Sequence, residues 1–194
     1  MANVLADFYT REQPDEMNTT MPFEHEKPYS WEACMTIGEY WQYSIKDRNF
    51  KSGPELVRIL VDVVSRGGNL LLNVGPTPDG VIPPHLLEHL QYVGAWLRGN
   101  GESIYGTARG PFKALPAGKC TAKGNRLYIH LDASPGKTVS LPGLQNTLQK
   151  AWLLKTGAEL PFDNASKTIT LPEVLPEDAV TTVAVELDSP PNVK

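Results

Sequence analysis

Acidic side chains lie beside aromatic ones at two places near the start of the chain. One place contains Trp31-Glu32 and, further along, Trp41-Gln42-Tyr43. The other is the segment DFYTREQPDEM, in which four carboxylates accompany two aromatic residues: Asp7, Phe8, Tyr9, Glu12, Asp15 and Glu16. Aromatic faces stack on the C–H surfaces of sugars, and carboxylates bind hydroxyls and move protons. These residues predict a carbohydrate site; the competing interpretation is a set of solvated acidic loops.

The stretch RGGNLLLNVGPTPDG ends in a turn, residues 75–80, with the G-x-x-x-x-G spacing of a phosphate-binding loop. Such a loop continues with lysine and a hydroxyl residue, but this chain has Val81 and Ile82 there. Pro76 and Pro78 also lack the amide hydrogens that would hold phosphate. We therefore expect a turn between a strand and a helix, and no nucleotide.

A second motif that suggests a ligand site is the run HLLEH, which matches the H-x-x-E-H zinc pattern. The spacing places His85 and His89 on one face of a helix. A zinc site needs a third ligand, and His25 and His130 lie in unrelated sequence contexts. We expect solvated helix residues here and assign no metal and no cofactor, with a zinc hydrolase as a weaker alternative.

Charge and hydropathy exclude other classes of function. The 194 residues carry a formal net charge of -4 and no basic stripe, which argues against binding to nucleic acid. No apolar run is long enough to cross a membrane. The first residues lack the pattern of a signal peptide, and the compartment is not assigned. Cys34 and Cys120 lie too far apart in sequence to suggest a disulfide framework or a paired-thiol zinc site.

The elements that must position the candidate residues begin clearly only at Ser52. Residues 1–53 have few periodic apolar positions, so we expect either functional loops there or part of a domain whose beginning is absent. Ser52 and Glu55 form a capping box in front of the apolar helix ELVRILVDVVSR. A short buried strand is predicted at 69–74, and a second helix from Pro83-Pro84 to the glycines near residue 100. This order is typical of an α/β layer or barrel.

Beyond residue 107 the pattern changes to short β-type runs separated by turns. Strands are predicted at 127–131, 138–141, 151–154, 168–171 and 181–187. Their spacing indicates a small antiparallel β-sandwich. The predicted organisation is therefore α/β plus all-β, with domains at 1–107 and 108–194.

Three long motifs, in order, identify a family resemblance. WEACMTIGEYWQY, SGPELVRILVDVVSRGGNLLLNVGPTPDGVIPP and VGAWLRGNGESIYGT resemble the last third of the catalytic domain of glycoside hydrolase family 29, the α-L-fucosidases. The resemblance is strong over about residues 5–107 and weaker in the tail. It implies a retaining glycosidase on a partial (β/α)8-like barrel, followed by a β-sandwich, that releases terminal L-fucose from fucosylated glycans.

The resemblance also implies roles for single residues. The family stretch similar to G-D-F-x-T-P-E-Q reads ADFYTREQ here, which makes Glu12 the acid/base candidate, with Arg11 in place of the usual proline. Glu32 is the runner-up, and its alternative role is a supporting hydrogen bond. Trp41, with Trp31 beside it in the motif, is the candidate for binding the sugar. Gln42 stands where the family's tryptophan-glycine-tyrosine motif has glycine.

No residue of this chain matches the family's nucleophile motif, an aspartate on an earlier barrel strand. A barrel typically needs about 250 residues, and about a hundred here resemble one. We therefore expect a fragment or truncated product that lacks appreciable activity alone. A complementing N-terminal chain, or a second copy, would complete it. The alternative is a non-catalytic β-sandwich module that binds a carbohydrate or a protein.

Overall fold

The computed structural model describes residues 8–12, 30–131, 136–176 and 179–194. One parallel sheet with two helices occupies the first half of the chain, and two antiparallel sheets form the second half. The predicted combination of an α/β part and an all-β part is therefore confirmed in this coarse form. Among the described residues, no helix is both long enough and apolar enough to span a bilayer.

The parallel sheet has three strands in chain order, β1 (Phe8–Glu12), β2 (Ser30–Thr36) and β3 (Asn69–Asn73). Strand β2 lies in the centre, so of our two expectations for residues 1–53, a set of functional loops is wrong for these residues. Glu32 and Thr36 interrupt the apolar run of β2, which hid the strand in the sequence. In the sheet, alternate residues of a strand face opposite sides, so Trp31 and Ala33 pack under a helix while Glu32 faces away.

Helix α1 (Gly53–Ser65) begins as the sequence predicts. The Ser52 hydroxyl accepts a bond from the Glu55 amide, and the Glu55 carboxylate accepts one from the Ser52 amide, at 2.7 Å. Its apolar residues are largely buried, as predicted. Helix α2 (Pro84–Asn100) begins at the predicted prolines and is followed by a 3₁₀ turn (Gly101–Ser103).

The described residues of the second half form eight strands, three more than we predicted. They are β4 (Ala108–Arg109), β5 (Gly118–Lys123), β6 (Arg126–Leu131), β7 (Thr138–Ser140), β8 (Leu148–Leu153), β9 (Phe162–Asp163), β10 (Thr168–Thr170) and β11 (Thr182–Leu187). The missed strands are β4, β5 and β9. Two of these have only two residues, and β5 mixes glycine, lysine and threonine, so none has a clear apolar run.

These strands form a five-stranded sheet, β4-β5-β6-β11-β8, and a three-stranded sheet, β7-β10-β9. The apolar faces of the two sheets enclose one core, to which Ile129 and Val183 contribute from the large sheet and Val139 and Ile169 from the small one. All four side chains are fully buried. This packing of two antiparallel sheets is the predicted sandwich.

The outer face of the large sheet packs against the helical part. The Trp96 indole N–H donates to the Val180 carbonyl at 2.9 Å, and the Thr121 hydroxyl donates to the Ser103 carbonyl at 2.7 Å. Lys119 forms a 3.0 Å ion pair with the buried Asp62 of α1. The sandwich therefore supports the helices that in turn support the parallel sheet.

Candidate functional site

The parallel strands present their carboxyl ends at one edge of the sheet. Thr36 and Asn73, the last residues of β2 and β3, are direct neighbours in the register. Two loops leave from this edge, residues 37–52 after β2 and residues 74–83 after β3. Between them lies a cavity of about 230 Å³, lined in part by Ile37, Tyr40, Tyr43, Asp47, His85 and Leu86. Ligand sites of α/β proteins form at this edge because the connecting loops converge there.

Residues 38–50 of the first loop, here called the aromatic loop, expose three large rings. Tyr40, Trp41 and Tyr43 are 41%, 38% and 42% exposed. Exposed aromatic faces beside a cavity provide the stacking surface that a sugar ring needs. Trp41, the sequence candidate for binding the sugar, is one of these exposed rings, and its contact with a sugar stays a prediction.

The base of the aromatic loop is closed by a buried carboxylate. The Glu39 amide hydrogen is shared between the two Asp47 carboxylate oxygens, with N···O distances of 3.1 and 3.3 Å. Gly38 lies directly under this carboxylate, where a side chain would collide with it. The Lys51 ammonium donates to the Thr36 carbonyl at 2.9 Å and so joins the end of the loop to the end of β2. Sequence analysis did not single out these residues; the glycine after the strand was their only signal.

Glu32 lies in the interior of β2 and is half-buried. Its carboxylate accepts a bond from the Cys34 thiol at 3.4 Å. The face that carries Glu32 is opposite to the face packed on α1, and it also carries Leu71, which is 43% exposed. Glu32 is therefore available for chemistry on this face, or for the supporting hydrogen bond that we gave as its alternative.

Glu12 is the last residue of β1, and its backbone pairs with Cys34 of β2. Cys34 lies two residues beyond Glu32 towards the carboxyl edge. Given usual strand spacings, the Cα atoms of Glu12 and Glu32 lie about 8 Å apart. The two predicted carboxylates thus occupy neighbouring strands, with Glu12 nearer the cavity edge. The side chain of Glu12, and the other acidic residues of its segment, lie outside the described part of the structure.

Trp31 lies on the other side of the sheet from Glu32. It is 3% exposed, packs with Ala33 and Val63, and approaches Gly68 closely. Its indole N–H donates to the Arg66 carbonyl at 3.4 Å. The structure therefore does not bring Trp31 together with Trp41, and the contacts of Trp31 are those of a core residue.

The structure describes the residues of both the HLLEH motif and the G-x-x-x-x-G turn. The His85 ring packs against Phe50 in a tilted arrangement, with a centroid distance of 4.7 Å and an interplanar angle of 51°. Within the described ranges, no three His, Cys, Asp or Glu side chains form a group that could hold a metal ion. Residues 75–80 form the turn between β3 and α2 that the sequence indicated.

The model of the alpha-L-fucosidase family matches residues 3–102 of the chain, which is more than half its length. The chain belongs to the α-L-fucosidase family. It is 48% identical over 86 residues to the plasma alpha-L-fucosidase of Rattus norvegicus, a match that covers 43% of this chain and 19% of the relative. It is 32% identical over 176 residues to the alpha-L-fucosidase of Dictyostelium discoideum, covering 80% of this chain and 38% of that protein.

The similarity extends through the sandwich in three dimensions. The solved alpha-L-fucosidase isoenzyme 1 of Paenibacillus thiaminolyticus superposes with a TM-score of 0.85 at 36% identity. The superposition covers 94% of this chain and 45% of the Paenibacillus chain. This fucosidase-family chain thus spans less than half the length of each of these relatives.

Proposed function

We propose that the protein is an α-L-fucosidase, a retaining hydrolase that releases terminal L-fucose from glycans. The observation that carries the proposal is the arrangement at one sheet edge: two carboxylate-bearing strands beside a cavity and an exposed aromatic loop. Family membership supports it, because the related proteins bear the name of this activity. Terminal fucose on a glycan is accordingly the proposed substrate.

The architecture of the active enzyme is part of the same proposal. We infer that β1, β2 and β3 belong to a (β/α)8-like barrel, and that further strands cover the face that carries Glu32 and Leu71. These strands come from additional chain sequence or from a second copy. The proposed boundary between the barrel part and the sandwich is near residues 107–111, where β4 joins the antiparallel sheet.

In the proposed reaction, one carboxylic acid protonates the glycosidic oxygen while a carboxylate attacks the anomeric carbon. A glycosyl-enzyme intermediate forms, and water activated by the first group then releases fucose. Glu12 is our candidate for the acid/base group, because catalytic residues of barrels concentrate at the carboxyl ends of strands. Glu32 remains the runner-up. The nucleophile is not assigned in this chain, and Trp41 is proposed to pack on the apolar C5-methyl side of fucose.

The test compares Glu12→Gln and Glu32→Gln in the longest natural form of the protein, with two fucosides that differ in leaving group. Loss of the acid should lower turnover of a glycan substrate about 10²–10⁴-fold. The effect on a fucoside with a strongly acidic phenol should be much smaller, because that group leaves without protonation. The variant with this pattern identifies the acid/base residue. Wild-type rates in both variants would refute the assignment.

The 194 residues expressed alone should not hydrolyse an aryl fucoside appreciably, since we assign no nucleophile in them. Robust turnover by that polypeptide would overturn this expectation. A rise in melting temperature on addition of fucose, together with slower amide exchange in the sandwich strands alone, would instead favour the binding-module alternative.

A further inference from the structure

We propose that Asn73 is a positioning residue that holds the aromatic loop over the sheet face that carries Glu32. This inference rests on the proposed function, because it assigns the loop a part in binding the fucoside. The carboxamide of Asn73 donates from Nδ2 to the Trp41 carbonyl at 2.7 Å. The bond joins residues 32 positions apart in sequence, so it links the end of β3 to the middle of the loop after β2.

The register of the sheet determines the side from which this bond is made. Asn69 is the neighbour of Glu32, and Asn73 is four residues further along β3. Because strand side chains alternate, Asn69, Leu71 and Asn73 share the face of Glu32. The amide therefore holds the Trp41 backbone at the edge of the candidate catalytic face, not on the helical side of the sheet.

A second contact, made without a side chain, fixes the same part of the loop. A Cβ atom on Gly75 would lie 2.7 Å from the Tyr43 nitrogen and 2.8 Å from the Gln42 carbonyl carbon. Only glycine lets the two backbones approach this closely. Asn73 at the end of β3 and Gly75 just after it thus both contact residues 41–43, while Asp47 closes the base of the loop through Glu39.

The loop needs such support because its own rings contribute little packing. Tyr40, Trp41 and Tyr43 each leave about two fifths of their surface exposed. Side chains this exposed cannot determine the path of a loop by burial, so the path depends on the backbone contacts. Release of the Trp41 carbonyl should leave the sheet intact and let the rings move relative to the cavity.

The test uses Asn73→Asp, which keeps the shape of the side chain and removes the donor. The matched control is Asn125→Asp, which removes a similar 3.0 Å bond from an amide to the Leu187 carbonyl in the sandwich. We expect Asn73→Asp to speed amide deuterium exchange in residues 39–46 about fivefold, the size expected for one neutral hydrogen bond. Exchange in α1 and β6 should be unchanged, and the control should leave the loop unaffected.

Kinetics on the longest natural form of the protein provide the second readout. With an aryl fucoside, Asn73→Asp should raise KM about fivefold or more and change kcat less, because the loop binds the substrate without touching the reacting bond. The control should keep both constants. Unchanged loop exchange would refute the positioning contact, and faster exchange with an unchanged KM would refute its role in substrate binding. A wild-type protein without fucoside turnover would refute the proposed function instead, and the exchange data would still show whether Asn73 holds the loop.

Discussion

The sandwich and the parallel sheet use polar and apolar residues in opposite ways. In the sandwich, the two sheets cover each other, and residues such as Leu127 and Ile169 are fully buried. In the parallel sheet, the described residues cover one face with helices, while the other face carries Glu32 and the exposed Leu71. The first arrangement contributes stability, and the second leaves a half-buried carboxylate and an exposed apolar side chain on one face.

Asn164 shows how the sandwich satisfies its polar groups internally. Its carboxamide accepts a bond from the Leu148 amide at 2.8 Å and donates one to the Leu148 carbonyl at 3.0 Å. It thus pairs with a strand in the way that a backbone would. The sequence Asn164-Ala165-Ser166 matches a glycosylation sequon, but the amide nitrogen is already a structural donor. In contrast, the amide of Asn73 supports an exposed loop.

The largest expected effect is on the free energy of unfolding, and it compares the core of the sandwich with the sheet face that carries Glu32 and Leu71. Ile169→Ala should lower the free energy of unfolding by about 2–5 kcal/mol, since it leaves a cavity in a closed core. Leu71→Ala in the 194-residue polypeptide should lower it by less than about 1 kcal/mol, because this side chain retains much of its solvent contact. Urea titrations measure both. A larger cost of Leu71→Ala in a form with additional barrel strands would sharpen the comparison, and equal costs for the two variants would contradict it.

The next effect is the pH dependence of stability that arises from His130, a residue of the sandwich. Burial, with a smaller contribution from Lys119, lowers the pKa of His130 to about 3. In the unfolded chain, His130 binds a proton as the pH falls through about 6.5, whereas in the folded chain the same side chain stays neutral until the pH is much lower. The associated stability is therefore complete above pH 6.5 and decreases as the pH falls towards 3, by about 1.4 kcal/mol per pH unit.

Urea midpoints between pH 7 and pH 4 measure this loss, with His130→Gln as the comparison. Contributions from carboxylates are common to both proteins and cancel in the difference. The variant should show the shallower decline. Parallel pH profiles of the two proteins would mean that His130 is protonated without unfolding.

A smaller effect tests whether the two regions unfold together. Thr121→Val removes the hydrogen bond to the Ser103 carbonyl and the contact with His130 Nε2, with little change in shape, and should cost about 1–3 kcal/mol. If the helical part and the sandwich are coupled, the amide deuterium exchange of α1 and that of β11 should speed up by the same factor. The exposed Thr170→Val on β10 is the control and should cost less than about 0.5 kcal/mol. Faster exchange in only one of the two elements would show that the regions unfold separately.

The smallest expected effect lies at the start of α1. Ser52→Ala removes the helix cap and should cost about 1 kcal/mol, whereas Ser52→Gly should cost only a few tenths. Thermal unfolding measures both variants. Equal losses would indicate that the Ser52 hydroxyl does not stabilise the helix through the Glu55 amide.

Local signals accounted for much of what could be predicted. The box Ser52-Gly53-Pro54-Glu55 determined where α1 begins, since all its hydrogen bonds lie within one turn of helix. The prolines before α2 and the turns between the sandwich strands acted in the same way. The family was also readable, because long motifs such as GGNLLLNVGP lie in one continuous stretch.

The sequence by itself thus determined the family, the helices and most sandwich strands, and it predicted Glu12 and Glu32 as candidate carboxylates. Only the tertiary structure revealed β2 as a central strand, the burial of Trp31 beneath α1, and the bond from Asn73 to the Trp41 carbonyl. The physical reason is distance along the chain. Each of these features depends on groups more than twenty residues apart, and such contacts leave no periodic or adjacent pattern in the sequence.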